Sequence, residues 1–189
     1  KIIFIICICL FGLLDRMNIN ASKSSGIMYK EKLKITLLKE GHIDTGILKY
    51  HTNFRFIYSI SYFFLHLGAP KPIGPYNQAV QINYILYLSG QIGIDPATGQ
   101  LVSDDVRNQT QQVFRNIQAV VHAAGANMTQ IARCLVLILD MNDFQVVNEV
   151  YATFFPSMED YPARTTVAVK TLPKDAKVEI ECTAYTNRE

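Results

Sequence analysis

Two stretches near the C-terminus, YPARTTVAV at residues 161–169 and KVEIECTAY at residues 177–185, decide the fold of this 189-residue chain. Both alternate in the way of β-strands, in which successive side chains point to opposite faces. The second stretch puts Glu179 and Glu181 on one face and four apolar side chains on the other: Val178, Ile180, Cys182 and Ala184. Period two also puts Arg164 and Thr166 together. We expect helices over the apolar face and a charged face opposite them.

The segments upstream supply the remaining strands and the helices. QAVQI (78–82), YILYLSGQIGI (84–94) and ARCLVLILDM (132–141) are strand-like runs. Residues 104–124 and 143–155 carry apolar side chains at helical spacing. The order strand, strand, helix, strand, helix, strand, strand predicts an α+β or mixed α/β layer with both helices on one face of the sheet.

Charge is distributed unevenly along the chain, whose formal net charge is +2. Residues 1–68 hold nine Lys/Arg against four Asp/Glu, whereas residues 69–189 hold nine against twelve. A mildly acidic domain lacks the basic patch that phosphate binding requires, which argues against a dedicated nucleic-acid-binding function.

The cysteines and histidines indicate no metal site. Their spacing fits neither a zinc site nor a disulfide framework, and residues 69–189 contain only His122 as histidine. Cys134 and Cys182 lie in apolar runs and are predicted to be buried, reduced thiols.

Residues 1–68 are expected to form a leader outside the fold, with the domain at residues 69–189. The apolar run at residues 2–14 has the length of a signal-peptide core and is short for a membrane span. A lysine-rich, acid-poor segment follows, as in the bipartite leaders of plastid-type organelles, so we expect an organellar protein, plastid-type or mitochondrial. The alternative is a gene-model artefact, with Met28 as another start and a cytoplasmic protein, since the chain begins with Lys1.

The charged face of the sheet has three interpretations that composition alone does not separate. It is solvated, or Arg164 and Glu181 form a structural salt bridge, or the face packs against other subunits and shelters a small charged ligand. A hairpin of the last two strands would favour the salt bridge.

Five motifs in order resemble the reactive-intermediate deaminase (Rid, or YjgF-like) family. They are GPYNQAV (74–80), YLSGQIGIDPATGQLV (87–102), NDFQVVNEVYATFF (142–155), YPARTTVAV (161–169) and LPKDAKVEIECTAY (172–185). The resemblance runs from about Ala69 to the C-terminus, and nothing in residues 1–68 belongs to it.

The resemblance implies a chorismate-mutase-like fold, a mixed β-sheet with two helices on one face, in a homotrimer with ligand clefts between subunits. It implies hydrolysis of 2-aminoacrylate and 2-aminocrotonate, released by pyridoxal-phosphate dehydratases, to 2-keto acids and ammonia, without cofactor or metal. It also implies that the last strand runs between the first strand and ARCLVLILD. Arg164 and Glu181 would then lie about 10 Å apart, two strand spacings.

The resemblance also assigns roles to residues. Arg164 would grip the substrate carboxylate through two parallel hydrogen bonds, which lysine cannot make. Glu181 would hold or deprotonate the attacking water. The backbone carbonyl of Thr166 would orient that water, in a position where many relatives have cysteine.

Further residues would line the ligand site. Tyr76 would act as a lid or hydrogen-bond donor, Ser89 and Gly90 would lie near the substrate carboxylate, and Asn148 would reach the cleft from a helix. Packing at the subunit seam is an alternative role for Tyr76. The competing functions are a metabolite-binding or chaperone-like trimer without catalysis and, with less support, a ribonuclease or translation inhibitor.

Overall fold

The structure, a computed structural model, describes residues 27–40, 53–66 and 68–186, with side chains from Gly68 onward. Two helices occur in this part of the chain, α1 (Val106–Ala123) and α2 (Phe144–Ala152). The strands are β1 (Ile27–Glu40), β2 (Asn53–His66), β3 (Ala79–Ile82), β4 (Ile85–Leu88), β5 (Gln91–Ile92), β6 (Ile131–Ile138), β7 (Ala163–Ala168) and β8 (Val178–Tyr185).

These strands form one mixed sheet in the order β1-β2-β3-β4-β8-β6-β7, with β5 also paired to β8. The pair β6 and β7 is parallel, and the other described pairs are antiparallel. The last strand therefore runs beside β6, as expected. Its other neighbour is the second strand of the domain, β4, and not the first.

Both predicted helices are confirmed, and their limits follow from local chemistry. Asp105 caps α1 by accepting a hydrogen bond from the backbone N–H of Asn108 at 2.9 Å. Just past the helix, Gly125 adopts a φ of +73°, the left-handed conformation that glycine favours at helix ends. The buried stripe of α1 includes Val113, Phe114 and Ile117, which are fully shielded from solvent.

The core lies between these helices and one face of the sheet. The alternation of β8 is confirmed, because its four apolar side chains are buried while Glu181 is exposed. A second, small apolar cluster comprises Ile92, Ile94, Leu172 and Ala176. The α+β fold predicted from the sequence is thus present.

Two strands lie within residues 1–68, the region expected to be a leader; that this region is separate from the domain at residues 69–189 stays a prediction. β1 and β2 form an antiparallel hairpin, and β2 continues the sheet by pairing with β3 from Ser61 to Phe64. Both sides of β3 are therefore paired, one with β2 and the other with β4. The signal-like run at residues 2–14 lies outside the described residues, among which neither helix is long and apolar enough to cross a bilayer.

The prediction that Cys134 and Cys182 are reduced thiols is wrong, because a disulfide joins them. Both side chains are buried, as predicted. They stand directly opposite each other on the antiparallel strands β6 and β8, a proximity that a sequence separation of 48 residues does not reveal. The bond links the two central strands of the domain.

The disulfide predicts a redox-dependent stability. Replacing both cysteines by alanine, Cys134→Ala with Cys182→Ala, should lower the free energy of unfolding by about 2–4 kcal/mol, since the loop constraint on the unfolded chain is lost. Urea unfolding measures this, and wild type under reductant should approach the variant. If alkylation of the unreduced, denatured protein modifies both thiols, the prediction fails.

Candidate functional site

The register of β6 with its two neighbours decides where the charged side chains point. Cys134 is opposite Cys182 on β8 and opposite Arg164 on β7, whereas Leu135 is opposite Glu181 and Leu137 is opposite Glu179. Side chains at paired positions leave the same face of a sheet. Arg164 therefore lies on the helix side, and both glutamates lie on the other side.

This arrangement corrects the prediction of a single charged face. Alternation within each strand was predicted correctly. Which side chains of β7 and β8 share a face, however, depends on the register of β6, the strand between them. The salt-bridge interpretation also fails, because β6 separates Arg164 from Glu181 and the described residues hold one ion pair, between Arg107 and Glu149.

Arg164 occupies an exposed position at the edge of the sheet, beneath α2. Its guanidinium carbon lies 4.6 Å from the ring centroid of Tyr151 and 5.8 Å from that of Phe144. Both distances are within the range of cation–π attraction. The cation is thus held against aromatic faces.

Asn148 lies between these two aromatic residues on α2, and the spacing 144, 148, 151 puts all three on one side of the helix. Its Oδ1 and the Tyr151 hydroxyl are buried without a hydrogen-bond partner among the described residues. Thr166 follows Arg164 on the same face of β7 and is partly buried. The structure therefore brings Arg164, Asn148 and Thr166 to one region of the chain.

A pocket of about 220 Å³ lies on the opposite side of the domain. Three of the predicted site residues, Tyr76, Ser89 and Gly90, line it together with Ile73, Ile92, Pro173 and Glu179. Glu179 supplies an ionisable group among mostly apolar walls.

Hydrogen bonds tie the Tyr76 segment to the strand end that carries Ser89. The Ser89 hydroxyl donates to the Asn77 carbonyl at 2.7 Å, and the Ser89 N–H donates to the Gln78 carbonyl at 3.0 Å. Gln78, which is buried, donates from Nε2 to the Pro70 carbonyl at 2.8 Å. These contacts fix the mouth of the pocket relative to the sheet.

Gly90 provides the space that Glu179 occupies. A Cβ atom at position 90 would overlap the Glu179 carboxylate, whose carboxyl carbon would be 2.8 Å away. Burial raises the pKa of the Glu179 carboxyl above its ordinary value of 4.5, and the negative charge of Glu181 raises it further. The pocket thus contains a carboxyl group whose surroundings favour its protonated form.

Glu181, predicted as the catalytic acid, does not line this pocket. It is exposed, whereas Glu179 is half-buried. The two residues share a face of β8, so the sequence pattern alone offered no basis for choosing between them. β5 makes the difference, because Ile92 pairs with Glu179 and brings the strand end with Ser89 and Gly90 to that carboxylate. Among the described residues no group of three His, Cys, Asp or Glu side chains could hold a metal ion.

Comparison with known proteins gives a consistent result. A family model described as Endoribonuclease L-PSP matches residues 67–186. The 2-iminobutanoate/2-iminopropanoate deaminase of Dermatophagoides farinae is 49% identical over 113 residues, covering 60% of this chain and 87% of that protein. Reactive Intermediate Deaminase A, chloroplastic, of Arabidopsis thaliana is 43% identical over 116 residues, covering 61% of each.

A solved structure shares the fold. The crystal structure of E. coli TdcF with bound serine superposes with a TM-score of 0.62 at 41% sequence identity. The superposition covers 65% of this chain and 97% of that one.

The raised pKa of Glu179 predicts a pH-dependent stability. Ionising this carboxyl costs more in the folded than in the unfolded chain, so stability falls as pH rises from 4.5 through the raised pKa. Glu179→Gln should therefore raise the melting temperature at pH 7, and the gain should vanish by about pH 4. Thermal unfolding between these pH values measures the gain, with the exposed Glu181→Gln as the control that gains less. A gain that is independent of pH would contradict the prediction.

Proposed function

This chain belongs to the Endoribonuclease L-PSP family, which includes the Rid proteins, and on that premise we propose that it hydrolyses 2-imino acids to 2-keto acids and ammonia. The observation that carries the proposal is the half-buried Glu179 carboxyl in a small, mostly apolar pocket beside Tyr76, Ser89 and Gly90. The deaminase names of relatives at 43–49% identity support it.

The chemistry requires one water and a group that moves protons. Water adds to the imine carbon, and a new C–O bond forms as the π electrons pass to nitrogen. Nitrogen gains one proton on addition and a second before the C–N bond breaks, so that ammonia leaves with its electron pair, while loss of the hydroxyl proton yields the keto group. Glu179 takes a proton from the water and returns one to the leaving nitrogen. In this scheme Glu179 replaces Glu181, the residue predicted from the motif.

Arg164 binds the substrate carboxylate in a planar, two-bonded contact. Within one chain Arg164 and Glu179 leave opposite faces of the sheet, with β6 between their strands. A three-carbon acid cannot reach both side chains through the sheet. The proposal therefore places Arg164, Asn148 and the Thr166 carbonyl of one protomer against Tyr76, Ser89, Gly90 and Glu179 of the next.

A cyclic homotrimer satisfies this requirement, because each protomer contributes one half of two different clefts. Exposed apolar side chains on the strands support an interface there. They are Ile82 (40% exposed), Ile85 (38%), Tyr87 (49%) and Tyr185 (47%). Burying such side chains against another copy removes apolar surface from water.

Substrates of this kind arise where pyridoxal-phosphate dehydratases release enamines, so the enzyme would act beside them. For the leader we propose organellar targeting by residues 1–68, a proposal that the plastid designation of the Arabidopsis relative supports. A fluorescent fusion of residues 1–68 that remains cytoplasmic would contradict it. Cleavage before residue 69 would leave β3 at the edge of the sheet.

The first test of the proposed function uses two variants that should each be inactive. Arg164→Ala and Glu179→Gln should each lower kcat/KM by about 100-fold or more, since one loses carboxylate binding and the other proton transfer. Keto-acid release is followed while a dehydratase acts on serine or threonine. Arg164→Lys should not restore activity, because lysine makes no two-bonded contact. Glu181→Gln is the matched control and should stay within a few-fold of wild type.

Mixing the two inactive variants, Arg164→Ala and Glu179→Gln, then tests whether each cleft is formed by two protomers. If the two inactive variants are unfolded together and refolded, random assembly should restore about one quarter of the wild-type activity, because one cleft in four receives both intact halves. No recovery, with mixed oligomers present, would contradict the shared cleft. If RNA is degraded while imines are untouched, the nuclease function replaces the deaminase; if neither reacts but keto acids bind, the protein is a metabolite-binding trimer.

A further inference from the structure

The Arg164 guanidinium contacts the aromatic ring of Tyr151, and among the described residues it has no ion-pair partner. The guanidinium carbon is 4.6 Å from the Tyr151 centroid, and the one ion pair of the described residues involves other side chains. A guanidinium carries five N–H donors, and among the described residues no hydrogen bond involves those of Arg164. A carboxylate partner would have occupied those donors. The N–H donors of Arg164 therefore remain available while its charge is attracted to the Tyr151 ring.

Tyr151 is rigidly supported. It is 4% exposed, and its ring meets the fully buried Phe114 edge to face at 5.2 Å and Phe155 at 5.0 Å. Aromatic pairs at these separations favour defined orientations. The face that Tyr151 turns toward Arg164 is thus fixed by the core between α1 and α2.

We propose that Tyr151 is a positioning residue, whose ring orients the Arg164 guanidinium for the substrate carboxylate. This inference rests on the proposed function. The ring face, and not the hydroxyl, does the positioning, since the buried hydroxyl has no hydrogen-bond partner among the described residues.

The charge state of Tyr151 is consistent with this role. Burial raises its pKa to about 12, against an opposing effect of Arg164 and with a smaller contribution from Tyr161. The hydroxyl is therefore protonated at any pH at which the enzyme would work. Tyr151 offers Arg164 a neutral ring and no phenolate, which leaves the positive charge for the substrate.

The inference predicts that the ring matters for binding and the hydroxyl does not. Tyr151→Phe should stay within about twofold of wild type, whereas Tyr151→Leu should raise KM for the imino acid about five- to tenfold with kcat nearly unchanged, as expected for loss of a cation–π contact. In the Arg164→Ala background, Tyr151→Leu should have no further effect on KM.

Phe154→Leu is the matched control for lost packing. Phe154 stacks on the same Phe114 ring at 4.8 Å, but it is not among the rings that contact Arg164. It should lower the melting temperature as Tyr151→Leu does, without changing KM. Equal changes of KM in both variants, or a loss in Tyr151→Phe as large as in Tyr151→Leu, would overturn the inference.

Two measurements separate this inference from the proposed reaction. Calorimetry with 2-oxobutanoate should show the same five- to tenfold weakening in Tyr151→Leu even if wild type turns over no imine, in which case only the proposed reaction fails. NMR should show upfield ring-current shifts of the Arg164 side chain in wild type and Tyr151→Phe. If these shifts are absent in wild type, or if wild type does not bind the keto acid, the inference is wrong, whether or not Tyr151→Leu folds.

Discussion

The register of β6 is the constraint on which the rest of the structure depends. One strand fixes Cys134 opposite both Arg164 and Cys182, and Leu137 opposite Glu179. The disulfide joins β6 to β8 at Cys134 and Cys182, so a covalent bond as well as hydrogen bonds holds the register of these two strands. Arg164, the proposed anchor for the substrate carboxylate, and Glu179, the proposed group for proton transfer, are thereby held on opposite sides of a single sheet. Each half is well formed, and neither completes a site for a small acid within one chain.

Each half is prepared in a different way. On one side an aromatic core supports Arg164 and leaves its donors unpaired, at an edge where few other groups cover it. On the other side Gly90 leaves room for the Glu179 carboxylate in a mostly apolar pocket, where burial favours the protonated form. Arg164 is exposed, as binding of an anion in the proposed reaction requires, and Glu179 is half-buried, as the proposed proton exchange requires. The same physical quantity, the cost of desolvating charge, explains both environments.

Much of this could be predicted from the sequence, and the failures have definite causes. Apolar periodicity predicted both helices, and alternation predicted the buried face of β8. These patterns can be predicted because they depend only on residues close together in the sequence. Alternation cannot separate Glu179 from Glu181, because both lie on the same face of β8; pairing with β5 is what distinguishes them. The prediction that Arg164 and the glutamates share a face is wrong for a related reason. Which side chains of two strands share a face depends on their register, and the sequence does not reveal that register. The disulfide depends on the same non-local pairing, and the hairpin of β1 and β2 has no counterpart in the recognised motifs.

The most direct test of the shared cleft is the structure of the protein with bound 2-oxobutanoate. It should show the ligand carboxylate on Arg164 of one protomer, in a planar contact, and the keto carbon beside Glu179 of its neighbour. A keto acid that contacts both groups from a single chain, or a monomer that binds it in full, would contradict the central claim.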